Sequence, residues 1–296
     1  MATAWQRIES AVGRLLGRVG LVPHSRPPFV TIDPRAFRYR QDPRLAEALG
    51  AELMGPTVWE PAGAPVIPTG ELAEIFVSTP GFHKWPHYLP VYERTLAALR
   101  HRPVRLLEIG VFEGGSLAAW RRYLGPEATL VGIDIDPACA AHGDPAHGTY
   151  VRIGAQQDAD FLQAVVDEFG PFDAVIDDGS HMASHLVASF RFLFLHGLAP
   201  GGVYLAEDLQ TSYWHHYRDA RPSFVEVAKG LVDLLHAQYH DHAALEPDFR
   251  PGSEAGGREL TVPLIARWLD SVEFHDGLVV IRKANGLRKR AVSVRH

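Results

Sequence analysis

Leu106-Leu107-Glu108-Ile109-Gly110-Val111-Phe112-Glu113-Gly114-Gly115-Ser116, followed by Leu130-Val131-Gly132-Ile133-Asp134, is the stretch whose reading decides the fold. The largely apolar run from Val104 to Ile109 suits a central parallel strand, covered on both faces. Gly110, Gly114 and Gly115 allow a turn in which backbone approaches a ligand, and Ser116 stands where it can cap the helix behind them. The second strand ends in Asp134, about where a nucleotide-binding fold presents an acid to ribose hydroxyls. Strand, glycine turn, helix, strand and acid together point to an adenosine-containing cofactor.

The glycine spacing separates the cofactors. A dinucleotide fold uses G-x-G-x-x-G to bring a pyrophosphate onto the helix N-terminus, whereas this turn reads Glu-x-Gly-x-x-x-Gly-Gly. An acid before the first glycine suits a cationic or amine-bearing ligand, which favours S-adenosylmethionine over NAD. A glycine-lined turn that holds no ligand is the alternative. The candidate cofactor contacts are Glu108, Gly110, Gly114, Ser116, Asp134 and, at the end of a later strand, Asp177.

With 296 residues, 46% of them hydrophobic and 22% charged, the chain can bury one large core, or one domain plus an extension. A net charge of -6 argues against nucleic acid as the main partner, and no apolar run approaches the length of a bilayer span. The single cysteine, Cys139, excludes an internal disulfide and reads as a spectator thiol. The N-terminus lacks the continuous apolar segment of a secretion signal, so a cytoplasmic location is expected.

Residues 1–80 read as an N-terminal arm or cap. Trp5, Ile8, Val12, Leu15, Leu16 and Val19 recur at helical spacing opposite Arg7, Arg14 and Arg18, an amphipathic helix expected to pack on the body or on another subunit of a homo-oligomer. Proline-rich chain follows, with one helical patch over 43–54. Residues 81–296 read as a regular α/β domain, with a helix to Arg100, strands over 104–109, 129–134, 150–153, 173–177 and 202–206, and helices over 116–124, 159–169 and 183–196. That alternation predicts a doubly wound, mostly parallel sheet. Helices near 222–240 and 259–270 and a closing hairpin around Asp276-Gly277 complete a Rossmann-like fold of the class I methyltransferase type. A lid is expected over 241–257, and the arginine-rich tail from Arg282 to Arg295 is expected as a solvated end.

Ile176-Asp177-Asp178-Gly179-Ser180-His181 places two acids and a histidine just past one buried strand, and Ala206-Glu207-Asp208 ends the next with two more acids. Neighbouring strands lie about 4.8 Å apart, so their carboxyl ends bring these carboxylates together beside the glycine turn. Crowded carboxylates repel unless a cation joins them, and oxygen donors favour Mg²⁺, with Mn²⁺ a substitute. Asp178, Glu207 and Asp208 are the candidate ligands, and helix capping by Asp178 or Ser180 is the bland alternative. His181 is positioned to act as general base on a hydroxyl held there, with His185 one turn later as a weaker rival. The cluster Tyr213, Trp214, His215, His216 and Tyr217 suits a sugar or aglycone face, or alternatively packs the exit of the strand.

Leu107-Glu108-Ile109-Gly110-Val111 with Gly114-Gly115-Ser116, Ile176-Asp177-Asp178-Gly179-Ser180-His181 and Glu207-Asp208-Leu209-x-Thr211-Ser212-Tyr213-Trp214 resemble the signatures of the metal-dependent, S-adenosylmethionine-dependent sugar O-methyltransferases of macrolide biosynthesis. The similarity runs from about Gly81 to Lys283. It implies Mg²⁺ on Asp178, Glu207 and Asp208, catalysis by His181 with Asp178, and the cofactor ribose on Asp134. It also implies Gln156 and Asp158 near the adenine and Tyr88 near the methionine end. His83 before Lys84 and Ala155 before Gln156 depart from acids common in the family, and cephalosporin hydroxylase-like proteins share much of the pattern. The expected substrate is a glycosylated natural product. A metal-dependent methyltransferase of phenols or catechols and a non-catalytic cofactor-binding module are the rivals.

Overall fold

The computed structural model describes residues 43–54, 66–240 and 260–289. The chain divides into two units, Met1–Gly63 and Ala64–His296. In the first, α1 (Pro43–Met54) falls on the expected helical patch and is interrupted at Gly50, whose φ is 77°. The amphipathic segment 5–19 and the expected lid at 241–257 lie outside the described residues.

The second unit begins earlier than residue 81, because α2 (Glu71–Ser78) buries Leu72, Ala73 and Ile75 in the core. After α3 (Leu89–Leu96) come β1 (Arg105–Ile109), α4 (Gly115–Leu124), β2 (Thr129–Asp134), β3 (Thr149–Ile153), α5 (Ala159–Phe169), β4 (Phe172–Asp177), α6 (Ala183–Phe192) and β5 (Leu198–Ala206). Then follow α7 (Phe224–Leu235), β6 (Leu269–His275) and β7 (Leu278–Lys283). The seven-stranded sheet has the order β3-β2-β1-β4-β5-β7-β6, parallel except for β7, which runs antiparallel between β5 and β6.

Alternation along the strands builds two cores. Leu106, Leu130, Ala174, Ile176, Leu205 and Val280 face one layer with Tyr88, Tyr92 and Trp120. Leu107, Ile109, Val131, Val175, Tyr204 and Ile281 face the other with Leu162, Leu186 and Phe224. Each central strand is therefore apolar on both sides, as a sheet covered by helices requires.

Three local expectations change. Ser116 does not cap α4; Gly114, in the left-handed region with φ 74°, occupies the N-cap, and the Ser116 hydroxyl turns inward to donate to Glu108. The helix expected over 259–270 is only a 3₁₀ turn at Leu264–Arg267, and Leu269 begins β6 by pairing with Lys283. Pro263, with no N–H and a fixed φ, sits just ahead of that turn, and pairing with β7 overrides the local helical spacing. The arginine-rich tail is tied down as far as it is described: the Arg288 guanidinium donates to the carbonyls of Leu235 and Leu269.

Candidate active site at the carboxyl ends of β1, β4 and β5

Register brings the site together. Ile109 is opposite Asp177 and Asp177 is opposite Ala206, so Gly110, Asp178 and Glu207 leave three adjacent strands at one level. The Asp178 N–H donates to the Ile109 carbonyl (2.9 Å) and the Glu207 N–H to the Asp177 carbonyl (3.0 Å), extending the ladder one step past the strands. This is the switch point of a doubly wound sheet, where the chain runs from β1 outward to β2 and β3 and then crosses back to β4 on the other side of β1.

The glycines at this level are required by the protein itself. A Cβ on Gly110 would lie 2.2 Å from the Asp178 carbonyl oxygen, and one on Gly115 would lie 2.0 Å from the Gly81 carbonyl carbon. Both Asp134 oxygens are engaged: one accepts from the Val111 and Phe112 N–H groups, the other from Asp136. Asp134 thus braces the glycine turn while standing at the carboxyl end of β2.

Glu108 is fully buried, accepting from Ser116 (2.8 Å) and the Trp120 indole (3.3 Å). Burial pushes its carboxyl above the usual range, with Lys84 pulling it back. Asp177 is fully buried as well, held by Ser189, Tyr204 and Gln156. Burial raises it against the pull of those hydrogen bonds. Gln156 also accepts from the Ser180 N–H, so it clamps the turn after β4, and Asp158 caps α5 through the Asp160 and Phe161 N–H groups. Removing the Tyr204 hydroxyl with Tyr204→Phe leaves the Asp177 carboxylate short of a donor and should cost about 1–3 kcal/mol, read as a lower midpoint in chemical denaturation.

Asp178, His181 and Asp208 offer ligand atoms that all lie within 4.8 Å of one another. Their side chains are about a fifth to a quarter exposed. His181 Nε2 is 3.9 Å from Asp178 Oδ1 and 3.7 Å from Asp208 Oδ2, and its Nδ1 finds no hydrogen-bond partner among the described residues. The other oxygen of Asp208 accepts from the Trp85 indole (3.1 Å), the Tyr88 hydroxyl (3.1 Å) and the Gln210 amide (3.0 Å). Each acid is thus pinned at one oxygen, leaving the other toward His181. His181 and Asp208 both adopt left-handed backbone, φ 57° and 52°, at about 1–3 kcal/mol each. Such conformations at two converging polar residues fit a functional site better than capping, and the N-cap of α6 is Met182, which provides no side-chain cap.

Glu207 lies behind this group, 1% exposed, with its oxygens 2.9 and 3.0 Å from the Lys84 ammonium. Burial and then Asp178 push the Glu207 carboxyl well above the usual range, opposed by Lys84. Lys84 is buried too: burial favours its neutral form, but Asp178, Glu207 and Glu108 outweigh that and raise it well above the usual ammonium value. Sequence reasoning left Lys84 without a role. The available signal was its rarity, since the chain has only four lysines, at 84, 229, 283 and 289. Tyr88 reaches Asp208 and the Gly277 carbonyl rather than the glycine turn. Tyr213 and Trp214 are 60% and 39% exposed and so do not pack the strand exit, while Tyr217 contacts the His181 ring edge-on at 6.3 Å. His185 is engaged by Ser180 at 2.8 Å. Cys139 is buried beneath the Phe112 carbonyl, and burial pushes its thiol up to about 12, as suits a spectator.

The sheet order, glycine turn and acids define a class I methyltransferase fold, and comparison with known proteins narrows the class. No protein-family model matches the sequence. The chain is 32% identical over 272 residues to a mycinamicin VI 2''-O-methyltransferase of Micromonospora griseorubida, covering 83% of this chain and 64% of that protein. It is 41% identical over 176 residues to an 8-demethyl-8-(2-methoxy-alpha-L-rhamnosyl)-tetracenomycin-C 3'-O-methyltransferase of Streptomyces olivaceus, covering 55% and 43%. The MycE methyltransferase of the mycinamycin pathway, solved with Mg, SAH and mycinamycin VI, superposes with a TM-score of 0.59 at 26% identity, covering 88% of this chain and 66% of that one. Sequence and fold together make the chain a homologue of the sugar O-methyltransferases of antibiotic biosynthesis. It spans less than two thirds of the length of these curated relatives.

Proposed function

We propose that the chain transfers a methyl group from S-adenosylmethionine to a hydroxyl of a deoxysugar carried by a natural product, with Mg²⁺ or Mn²⁺ at the acids. The observation that carries this reading is the convergence of Asp178, His181 and Asp208 beside the glycine turn, on a fold shared with MycE. Asp178 and Asp208, with Glu207 behind them, would hold the cation. Bound there, it would lower the pKa of the acceptor hydroxyl and neutralise charge. His181 takes the hydroxyl proton at Nε2, and the turn from Gly110 to Ser116 with Asp134 positions the cofactor for in-line attack on its methyl carbon. The exposed rings of Trp85, Tyr213 and Trp214 offer an apolar face to the sugar or aglycone. In this reading the protein works as a homo-oligomer.

Calorimetric titration with S-adenosylhomocysteine, with and without Mg²⁺ and with NAD as control, tests the cofactor. Micromolar binding of the homocysteine product and none of NAD is expected. Absence of binding in either condition would overturn the reading of Gly110 to Asp134.

A further inference from the structure

Lys84 is the feature of the site that the proposed reaction leaves unused. Its side chain is 2% exposed, and its ammonium reaches carboxylates from three strand ends: Asp178 at 2.5 Å, Glu207 at 2.9 Å and Glu108 at 3.5 Å. Its neighbours clasp the same region: Gly81 packs on Gly115, Trp85 donates to Asp208, and Tyr88 bridges Asp208 and Gly277. Two of the acids that Lys84 holds, Asp178 and Glu207, are candidate cation ligands.

We infer that Lys84 is the resident cation of the metal-free site: its ammonium holds Asp178 and Glu207 in place and must yield them when a divalent cation binds. The inference rests on the metal reading above. Its physical basis is that three buried or half-buried carboxylates, Glu108, Asp178 and Glu207, repel one another unless a counter-charge joins them, and one buried ammonium supplies it. A divalent cation therefore enters by competition, and Lys84 weakens its apparent affinity by the population of the ammonium-bound state. A lysine suits exchange better than an arginine, because its single point charge sits on a flexible stem and makes no planar two-point pairing. Lys84 is a positioning residue here, acting through the acids rather than on the substrate.

The test is Mn²⁺ binding to the full chain, measured by calorimetry and by the free-Mn²⁺ electron spin resonance signal, for wild type and Lys84→Met. Methionine keeps the stem volume without the charge. The expected result is Mn²⁺ affinity at least about tenfold tighter in the variant, with metal-free protein that melts lower than wild type and a larger rise in Tm on adding Mn²⁺. A bracing lysine that stays on its acids in the loaded protein predicts the reverse, weaker Mn²⁺ binding, and unchanged or weaker affinity overturns the inference. Should Lys84→Met fail to fold, reductive methylation of wild type decides it. Lys84, resolved by peptide mass from the other three lysines, should label faster with Mn²⁺ than without, and an equal or slower rate with bound Mn²⁺ overturns the exchange. Failure of wild type and variant alike to bind Mn²⁺ or Mg²⁺ would instead remove the metal reading itself.

Discussion

Replacing His181 by alanine lowers kcat by about 10²- to 10⁴-fold, the usual contribution of a positioned general base, while the affinity for S-adenosylhomocysteine stays within about twofold. The split follows from where the side chain sits. His181 Nε2 faces the free oxygens of Asp178 and Asp208, and none of its contacts reaches the glycine turn or Asp134. Its backbone is left-handed, so alanine there retains the strain without the ring. His181→Asn, which accepts that conformation more readily, separates lost chemistry from lost folding. Both variants should show this loss of turnover, with the asparagine protein the more stable. Turnover equal to wild type in either would remove His181 from the mechanism.

Gly110→Ala has the second large effect, and it acts through the fold. Gly110 has φ 94°, and the added methyl would meet the Asp178 carbonyl oxygen at 2.2 Å and its carbon at 2.8 Å. Both are backbone atoms of the residue that carries a site carboxylate, so relief of the overlap displaces Asp178. A loss of roughly 3–5 kcal/mol is expected, with binding of the homocysteine product lost in whatever protein remains folded. Gly230→Ala, in α7 with nothing within 4 Å of the added methyl, is the matched control and should gain up to about 1 kcal/mol through helix propensity. A Gly110→Ala protein as stable as wild type would mean that the turn and the β4 exit are not in the contact described.

Much of this arrangement could be read from residues alone, for identifiable reasons. Thr129–Asp134 and Ala159–Phe169 fall on their expected bounds because strong local signals flank them: Asp158 caps the helix, and Asp134 terminates an apolar run. The acid pairs after β4 and β5 were legible because parallel register makes sequence position past a strand equivalent to height in the cleft. What local pattern could not supply was partnership across long separations. Lys84 meets Glu207 across 123 residues, and Asp177 meets Tyr204 across 27, so nothing near either residue announces the contact. Asp177, expected at the cofactor, is instead buried support for the turn that carries Asp178. Within the helix expected over 259–270, the described residues misled because their apolar spacing is compatible with a helix until β7 offers Leu269 a ladder, whereas Val272–His275 fall in the expected hairpin.

The most direct test of the account is to incubate the full chain with S-adenosylmethionine bearing a deuterated methyl group, Mg²⁺, and paired acceptors: deoxysugar-bearing macrolides or anthracycline-type aromatics, and a simple catechol. The account predicts a deuterated methyl on a sugar hydroxyl of at least one glycoside, formed at least about 10²-fold more slowly by His181→Ala and lost on chelation of the metal. Methylation of the catechol with none of any glycoside, or binding of S-adenosylhomocysteine with no transfer to any acceptor, would contradict it.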